Sequence, residues 1–302
     1  MKKILSIDGG GIRGVFSLAL LDFLEKEVDK DIMDRIDVFG GTSTGSLIAT
    51  GLALGFKPSF MLRVYQVFGA MIFGARRKDS KKAKYDPKMF TKALSFVFPK
   101  KPKFADLNKK IVIPVCSLTG SGGFWEPEVR HNFSEKWSEC SLVDTLMQSC
   151  AAPMYFPSHG KAVDGGVFAL NPASVALTTA MREYRLSADA FSVLSVGTGK
   201  SPSSISRDID WGKDRWMSPE PGLGDWPFYT LLTEMASFTT NDILSAVLGD
   251  RFFRLDGLLS EHYPMDDPTK IKAAIRDAEK LKESELWIHA KQYVRDRFLL
   301  SV

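Results

Sequence analysis

The chain has 302 residues, 44% of them hydrophobic and 25% charged, with a net charge of +4. These are ordinary fractions for a globular protein, and the length is ample for a sizeable core. No run of 18 apolar residues occurs, which argues against a transmembrane helix, and three cysteines (Cys116, Cys140, Cys150) without metal-type spacing argue against a disulfide framework or a metal cluster.

Lys2 and Lys3 precede four mostly apolar residues, and Asp8 interrupts the run too early for a secretory signal. With the cysteine usage, this points to a reducing, cytoplasmic setting. Residues 4–7 are predicted as a buried strand, followed by the glycine loop Asp8-Gly9-Gly10-Gly11-Ile12-Arg13-Gly14. A helix then runs from about residue 15 to 27, with Leu18, Leu21, Leu24 and Val28 at helical spacing. Residues 36–39 form a second predicted strand, and Gly41-Thr42-Ser43-Thr44-Gly45 turns it into a helix over about 45–54. Residues 60–75 are apolar except for Arg63 and Gln66 and run straight into a basic stretch, 76–84. Residues 76–110 hold thirteen Lys or Arg against three Asp or Glu. Such a block is either a solvated loop or a surface for an anionic partner.

Further strands are predicted at 111–115 and 191–196, the latter ending in Gly197-Thr198-Gly199. Between them Asp164-Gly165-Gly166 follows a short apolar run. Alternating strands and helices predict a mostly parallel sheet covered on both faces. Residues 201–226 carry Trp211, Trp216 and Trp226 among several prolines, a loop that either packs on the core or rims a site. Asp267-Pro268 is a good start for two closing helices.

The glycine blocks carry the chemistry. A serine flanked by glycines two residues away, between strand and helix, is the context of a nucleophile elbow. Consecutive glycines after a first strand let several N–H groups face one anion, phosphate or oxyanion. Gly9, Gly11 and Gly14 also fit a dinucleotide fingerprint, but the second strand ends in the serine elbow and not in the acidic residue that fingerprint requires. An actin-like phosphate loop, with Asp8 and Gly9 to Gly11 on ATP, is the better rival. A non-catalytic nucleotide-binding protein is another. A Ser43–His262–Asp164 triad would follow α/β-hydrolase order, yet none of the four histidines stands in a glycine-flanked context.

The three blocks in this order, with Ala151-Ala152-Pro153-Met154-Tyr155-Phe156-Pro157 between the second and third, resemble the patatin-like phospholipases. The resemblance covers residues 4 to about 199. It implies a three-layer α/β/α fold over 1–302 as one domain, with residues 200–302 completing it. It further implies Ser43 as nucleophile, Asp164 as general base, and Gly9, Gly10 and Gly11 as the oxyanion hole with Arg13 beside them. Asp8, Gly14, Gly41, Gly45, Gly165 and Gly166 would support these motifs. No cofactor or metal is implied. The substrate would be a glycerophospholipid acyl ester met at a membrane surface, with the enzyme peripheral to it. The short N-terminus is similar to bacterial antiviral effectors switched on by cyclic oligonucleotides. Duplex nucleic acid is not expected as a partner.

Overall fold

The computed structural model describes residues 1–74, 76–205, 208–224 and 226–300. Its first half runs β1 (Lys2–Ile7), α1 (Gly14–Glu27), β2 (Val38–Gly41), α2 (Thr44–Ala53), α3 (Pro58–Phe73), α4 (Pro87–Val97), β3 (Lys110–Ser117), β4 (Glu126–His131) and α5 (Leu142–Ser149). The second half runs β5 (Ala162–Asp164), α6 (Gly166–Ala169), α7 (Ala173–Tyr184), β6 (Phe191–Val196), α8 (Lys213–Trp216), α9 (Pro227–Leu248), β7 (Phe252–Leu255), α10 (Ile271–Leu281) and α11 (Glu285–Val294).

The strands form one sheet in the order β4-β3-β2-β1-β6-β7, parallel except that β4 and β5 run antiparallel to β3. Alternate residues of the central strands feed two separate cores. Leu5, Ile7, Leu194 and Val196 face one core with α1 and α2, whereas Ile4 and Val193 face the other with α7 and the end of α9. Three layers result, as expected for strands buried on both faces.

One placement of β5 sets up everything that follows. β2 pairs with the first half of β3, Gly40 opposite Val112. β4 occupies the other edge of β3 from Val112 to Ser117. β5 therefore takes the edge that β2 vacates, with Asp164 opposite Val115 and Ala162 opposite Ser117. Two chain segments approach head-on along one edge of β3, and the residue after each strand end meets the other.

Strand β2 lies two residues later than the sequence suggests. Pairing with β1 carries on through Gly40 and Gly41, opposite Ser6 and Ile7, because α7 approaches so closely that a Cβ at Gly40 would sit 2.8 Å from Ala176 Cβ. In the apolar segment at 60–75, α3 buries Met61, Tyr65 and Gly69 and packs Leu62, Val64, Phe68, Ile72 and Phe73 half-buried against the core, and Ala75 lies outside the described residues. Within the tryptophan loop Trp226 packs edge-on against Tyr155, and Trp211 meets Trp216.

Candidate active site

Ser43 sits in the turn between β2 and α2 with φ 53° and ψ −125°, a conformation that L-residues rarely adopt and that persists only where the surroundings enforce it. The flanking glycines are a steric requirement here. A Cβ at Gly41 would lie 2.2 Å from Gly45 O, and one at Gly45 would lie 2.1 Å from Ile7 O. The turn is pinned from outside by Ser149 at the end of α5. The Ser43 N–H donates to Ser149 Oγ at 3.1 Å, and Ser149 Oγ donates in turn to Pro114 O at 3.0 Å. Thr42 Oγ1 donates to Ala169 O at 2.7 Å from the other side.

The Ser43 side chain lies beside the carboxylate of Asp164, near enough to favour its ionised form. Asp164 is 2% exposed, and its Oδ1 accepts the Gly166 N–H at 2.7 Å. Burial pushes its pKa up to about 7, against the downward pull of Ser43 and of the bond from Gly166. The site thus holds a carboxyl poised near neutrality beside a hydroxyl, which is what general-base catalysis asks for. Gly165 lets this strand end press against β3, since a Cβ there would meet Pro114 O at 2.4 Å. Cys150 also touches Ser43, but burial raises its thiol well above the ordinary value, so it stays protonated.

The glycine loop after β1 stands beside the serine, with the Gly9 α-carbon against Ser43 Cβ and Gly14 against Thr44. The loop does not offer three donors as the sequence suggests. The Gly9 N–H is already committed to Leu170 O at 2.9 Å. Among the described residues Gly10 and Gly11 have no hydrogen-bond acceptor for their N–H groups, and both line the cavity at Ser43. Gly11, at φ 58°, packs on Met265 O, where a Cβ would lie at 2.1 Å. Arg13 stands beside the glycines, on the far side of the loop from Ser43. Its side chain leaves the Ser43 cavity, reaching Gly10 O with Nε at 3.5 Å and Ser201 Oγ with Nη1 at 3.3 Å.

Asp8 has a different partner from the one a phosphate loop would need. Arg254 of β7 grips both of its oxygens, at 2.9 and 2.6 Å, and reaches Asp256 at 3.0 Å. Burial pushes Asp8 up to about 6 although the guanidinium opposes it. Burial alone would lower Arg254, but the two carboxylates hold it above its ordinary value.

The cavity over Ser43 has a volume of about 110 Å³ and is almost wholly apolar, walled by Tyr65, Phe68, Phe73, Phe90, Leu94 and Phe156. No described histidine lines it. His159 sits at the surface with Asp144, and His289 is exposed. Four contributors had little or no signal in the sequence: Ser149, Leu170, Thr198 and Arg254. Only Thr198, in Gly197-Thr198-Gly199 at a strand end, stands in a recognisable context.

A strained serine beside a buried carboxylate, under an apolar slot and next to main-chain amides without acceptors among the described residues, fits a lipid-hydrolase site. The chain belongs to the patatin-like phospholipase family, whose description matches residues 5–177. CotR of Bacillus subtilis is 30% identical over 92% of this chain and 93% of its own length. A cGAMP-activated phospholipase of Pseudomonas aeruginosa is 26% identical over 84% of this chain and 77% of its own. An intracellular phospholipase A2 of Caenorhabditis elegans is 30% identical over 67% of this chain, although only 20% of that longer protein is matched. The protein is accordingly a lipid hydrolase of the three-layer patatin fold. No described helix is long and apolar enough to cross a membrane.

Proposed function

We propose that this chain, acting as one domain, is a serine phospholipase of the A type that cleaves glycerophospholipid acyl esters through a Ser43–Asp164 dyad. Asp164 accepts the Ser43 proton as Oγ attacks the ester carbon. The Gly10 and Gly11 N–H groups receive the negative charge of the tetrahedral oxygen, each such donor being worth about 3 kcal/mol. Collapse expels the glycerol oxygen, which takes the proton from Asp164. Water then attacks the acyl-serine, losing its proton to Asp164, which passes it to Ser43 Oγ as the tetrahedral intermediate collapses and the fatty acid leaves. The acyl chain lies among the aromatic side chains over Ser43.

The observation that carries this reading is the juxtaposition of a strained, glycine-flanked serine with a buried carboxyl raised to about 7. Substrate would come from a membrane surface to which the chain binds peripherally from the cytoplasm. The name of its Pseudomonas relative, a cGAMP-activated phospholipase, supports a cyclic oligonucleotide as activator. A fluorophosphonate probe with peptide mapping tests the core of the proposal. Labelling is expected on Ser43 and nowhere else, and Ser43→Ala and Asp164→Ala should abolish release of fatty acid from phospholipid. Full fatty-acid release by folded Ser43→Ala would refute it.

A further inference from the structure

Behind the glycine loop, on the side away from Ser43, lies a second and larger cavity of about 500 Å³. That volume falls in the range of small-ligand sites. The two cavities share the loop as a wall. Gly10 and Gly11 face the serine side, Asp8, Gly9 and Arg13 face the rear, and Leu170 touches both.

The rear cavity contains three cations and three carboxylates, but they do not cancel locally. Arg254 takes both Asp8 and Asp256. Arg13 has no carboxylate within ion-pair distance among the described residues; its guanidinium meets only Gly10 O and Ser201 Oγ. Lys200 likewise has no carboxylate partner there, and its ammonium lies 5.1 Å over the Phe238 ring. Glu234, the remaining carboxylate, binds Ser203 Oγ at 3.3 Å, and burial pushes it towards its neutral form while Arg13 opposes this. Glu234, Asp8 and Asp256 act on Arg13 only at a distance, so two sheltered cations lack a carboxylate in direct contact, an arrangement that an anion bound between them would relieve. The Thr230 hydroxyl adds a donor, and the rings of Phe238 and Trp216 add flat apolar surface.

We propose that this rear cavity binds a phosphate ester, its anionic oxygens between Arg13 and Lys200 and its organic portion against Phe238 and Trp216, and that occupancy is felt by the glycine loop. The coupling is short. Arg13 contacts Gly10 O directly, and Thr198, on the same wall, donates to Gly9 O at 3.0 Å and packs against Gly10. A ligand that draws the Arg13 guanidinium outward removes one of two donors on the Gly10 carbonyl, leaving the Arg13 main-chain N–H at 3.2 Å, and so lets the adjacent N–H groups re-aim. The second half of the inference rests on the acyl-hydrolase reading; the first half does not.

Calorimetric titration of the full chain carrying Ser43→Ala separates the two, because binding is then read without turnover. The probes are cyclic di-GMP, as a soluble phosphodiester, and sn-glycerol 3-phosphate, as a lipid headgroup fragment. At least one should bind with one-to-one stoichiometry. Adding Lys200→Glu should weaken it by about tenfold or more, and Lys200→Arg should restore it. Lys200→Glu alone, in the unliganded wild-type background, should hydrolyse p-nitrophenyl butyrate within about twofold of normal, which shows an intact fold and dyad. Saturating probe should change the wild-type rate and leave that of Lys200→Glu unmoved. Binding by cyclic di-GMP alone identifies a soluble source, and binding by glycerol phosphate alone identifies a headgroup; either supports the site. Failure of both to bind at millimolar concentration, or binding indifferent to Lys200→Glu, overturns it. Fluorophosphonate labelling of Ser43 is unaffected by either result, so the acyl-hydrolase reading stands or falls separately.

Discussion

The main-chain N–H of Ser43 donates to the side chain of Ser149, 106 positions away in sequence and 3.1 Å away in space. This bond holds Ser43 in its unfavourable φ, and the Ser149 hydroxyl is itself fixed by Pro114 O on the strand that carries Asp164 opposite its next residue. Ser149→Ala should therefore loosen the turn without touching either dyad group. One hydrogen bond of this kind is worth about 1–2 kcal/mol, so kcat is expected to fall roughly tenfold with KM little changed. The rate of fluorophosphonate labelling should fall in parallel. Unaltered labelling with lowered kcat would place the defect elsewhere.

Asp164 predicts opposite pH responses for activity and stability. As a base it must be ionised, so kcat/KM should rise through pH of about 7 and fall tenfold per unit below it. For stability, the folded carboxyl holds a proton that the unfolded chain releases near the ordinary value of 3.8. The group's contribution is full below that value and is lost as pH rises through 7. Asp164→Asn should be inactive yet more stable than wild type, by up to about 4 kcal/mol at pH 8 and by little at pH 4. Thermal melts of both proteins at the two pH values measure this directly.

The ion pair between Asp8 and Arg254 yields a third expectation. Arg254→Met strands two buried carboxylates, Asp8 and Asp256, each 5% exposed at the side chain. Removing one partner of a buried pair costs about 3–5 kcal/mol. The defect should be worse at pH 8 than at pH 5, because acid neutralises Asp8, whose pKa already stands at about 6 with its partner present. Asp8→Asn combined with Arg254→Met should recover part of the loss. Denaturant melts of the single and double variants make the comparison.

How far the sequence speaks depends on whether an interaction is local. The strained turn at Ser43 and the loop at Gly10 are visible as motifs because each gathers its glycines into a few consecutive positions, even though the contacts that demand glycine at Gly45 (Ile7 O), Gly10 (Thr198) and Gly11 (Met265 O) come from elsewhere in the chain. Strand β6 is legible for the same reason, every residue of Phe-Ser-Val-Leu-Ser-Val being buried. Strand β4 hides because it is an edge with Glu126, Glu128 and Arg130, and α9 hides because only Pro227, Thr233, Leu244 and Leu248 of its 22 residues are buried. The commitment of the Gly9 N–H to Leu170 O, and of Asp8 to Arg254, depends on partners more than 150 residues away. No spacing rule reaches that far. The basic stretch at 76–84 is a mixed case: its composition is plain, but which cations remain free is set by tertiary pairing.

That pairing shapes the expectation for lipid binding. Lys84 is buried and paired with Asp266, and Arg77 meets Asp86 at 3.1 Å, so neither is available to a bilayer. Arg76, Lys78, Lys81 and Lys82 are exposed, next to α3 and α4, which present Val67 (67% exposed) and Phe96 (73%) beside the walls of the Ser43 cavity. Each cation near an anionic leaflet contributes about 1 kcal/mol, screened by salt. Replacing all four by Gln should weaken sedimentation with phosphatidylglycerol vesicles by about 10²–10³-fold at low salt. Binding to pure phosphatidylcholine vesicles should change little, as should hydrolysis of soluble p-nitrophenyl butyrate, since none of the four touches the dyad. Phe96→Ser should weaken binding to both vesicle types, because the inserted ring does not depend on lipid charge. If the four-fold Gln variant binds anionic vesicles as wild type does, the basic segment is a solvated loop and the apolar rim alone must account for contact with lipid.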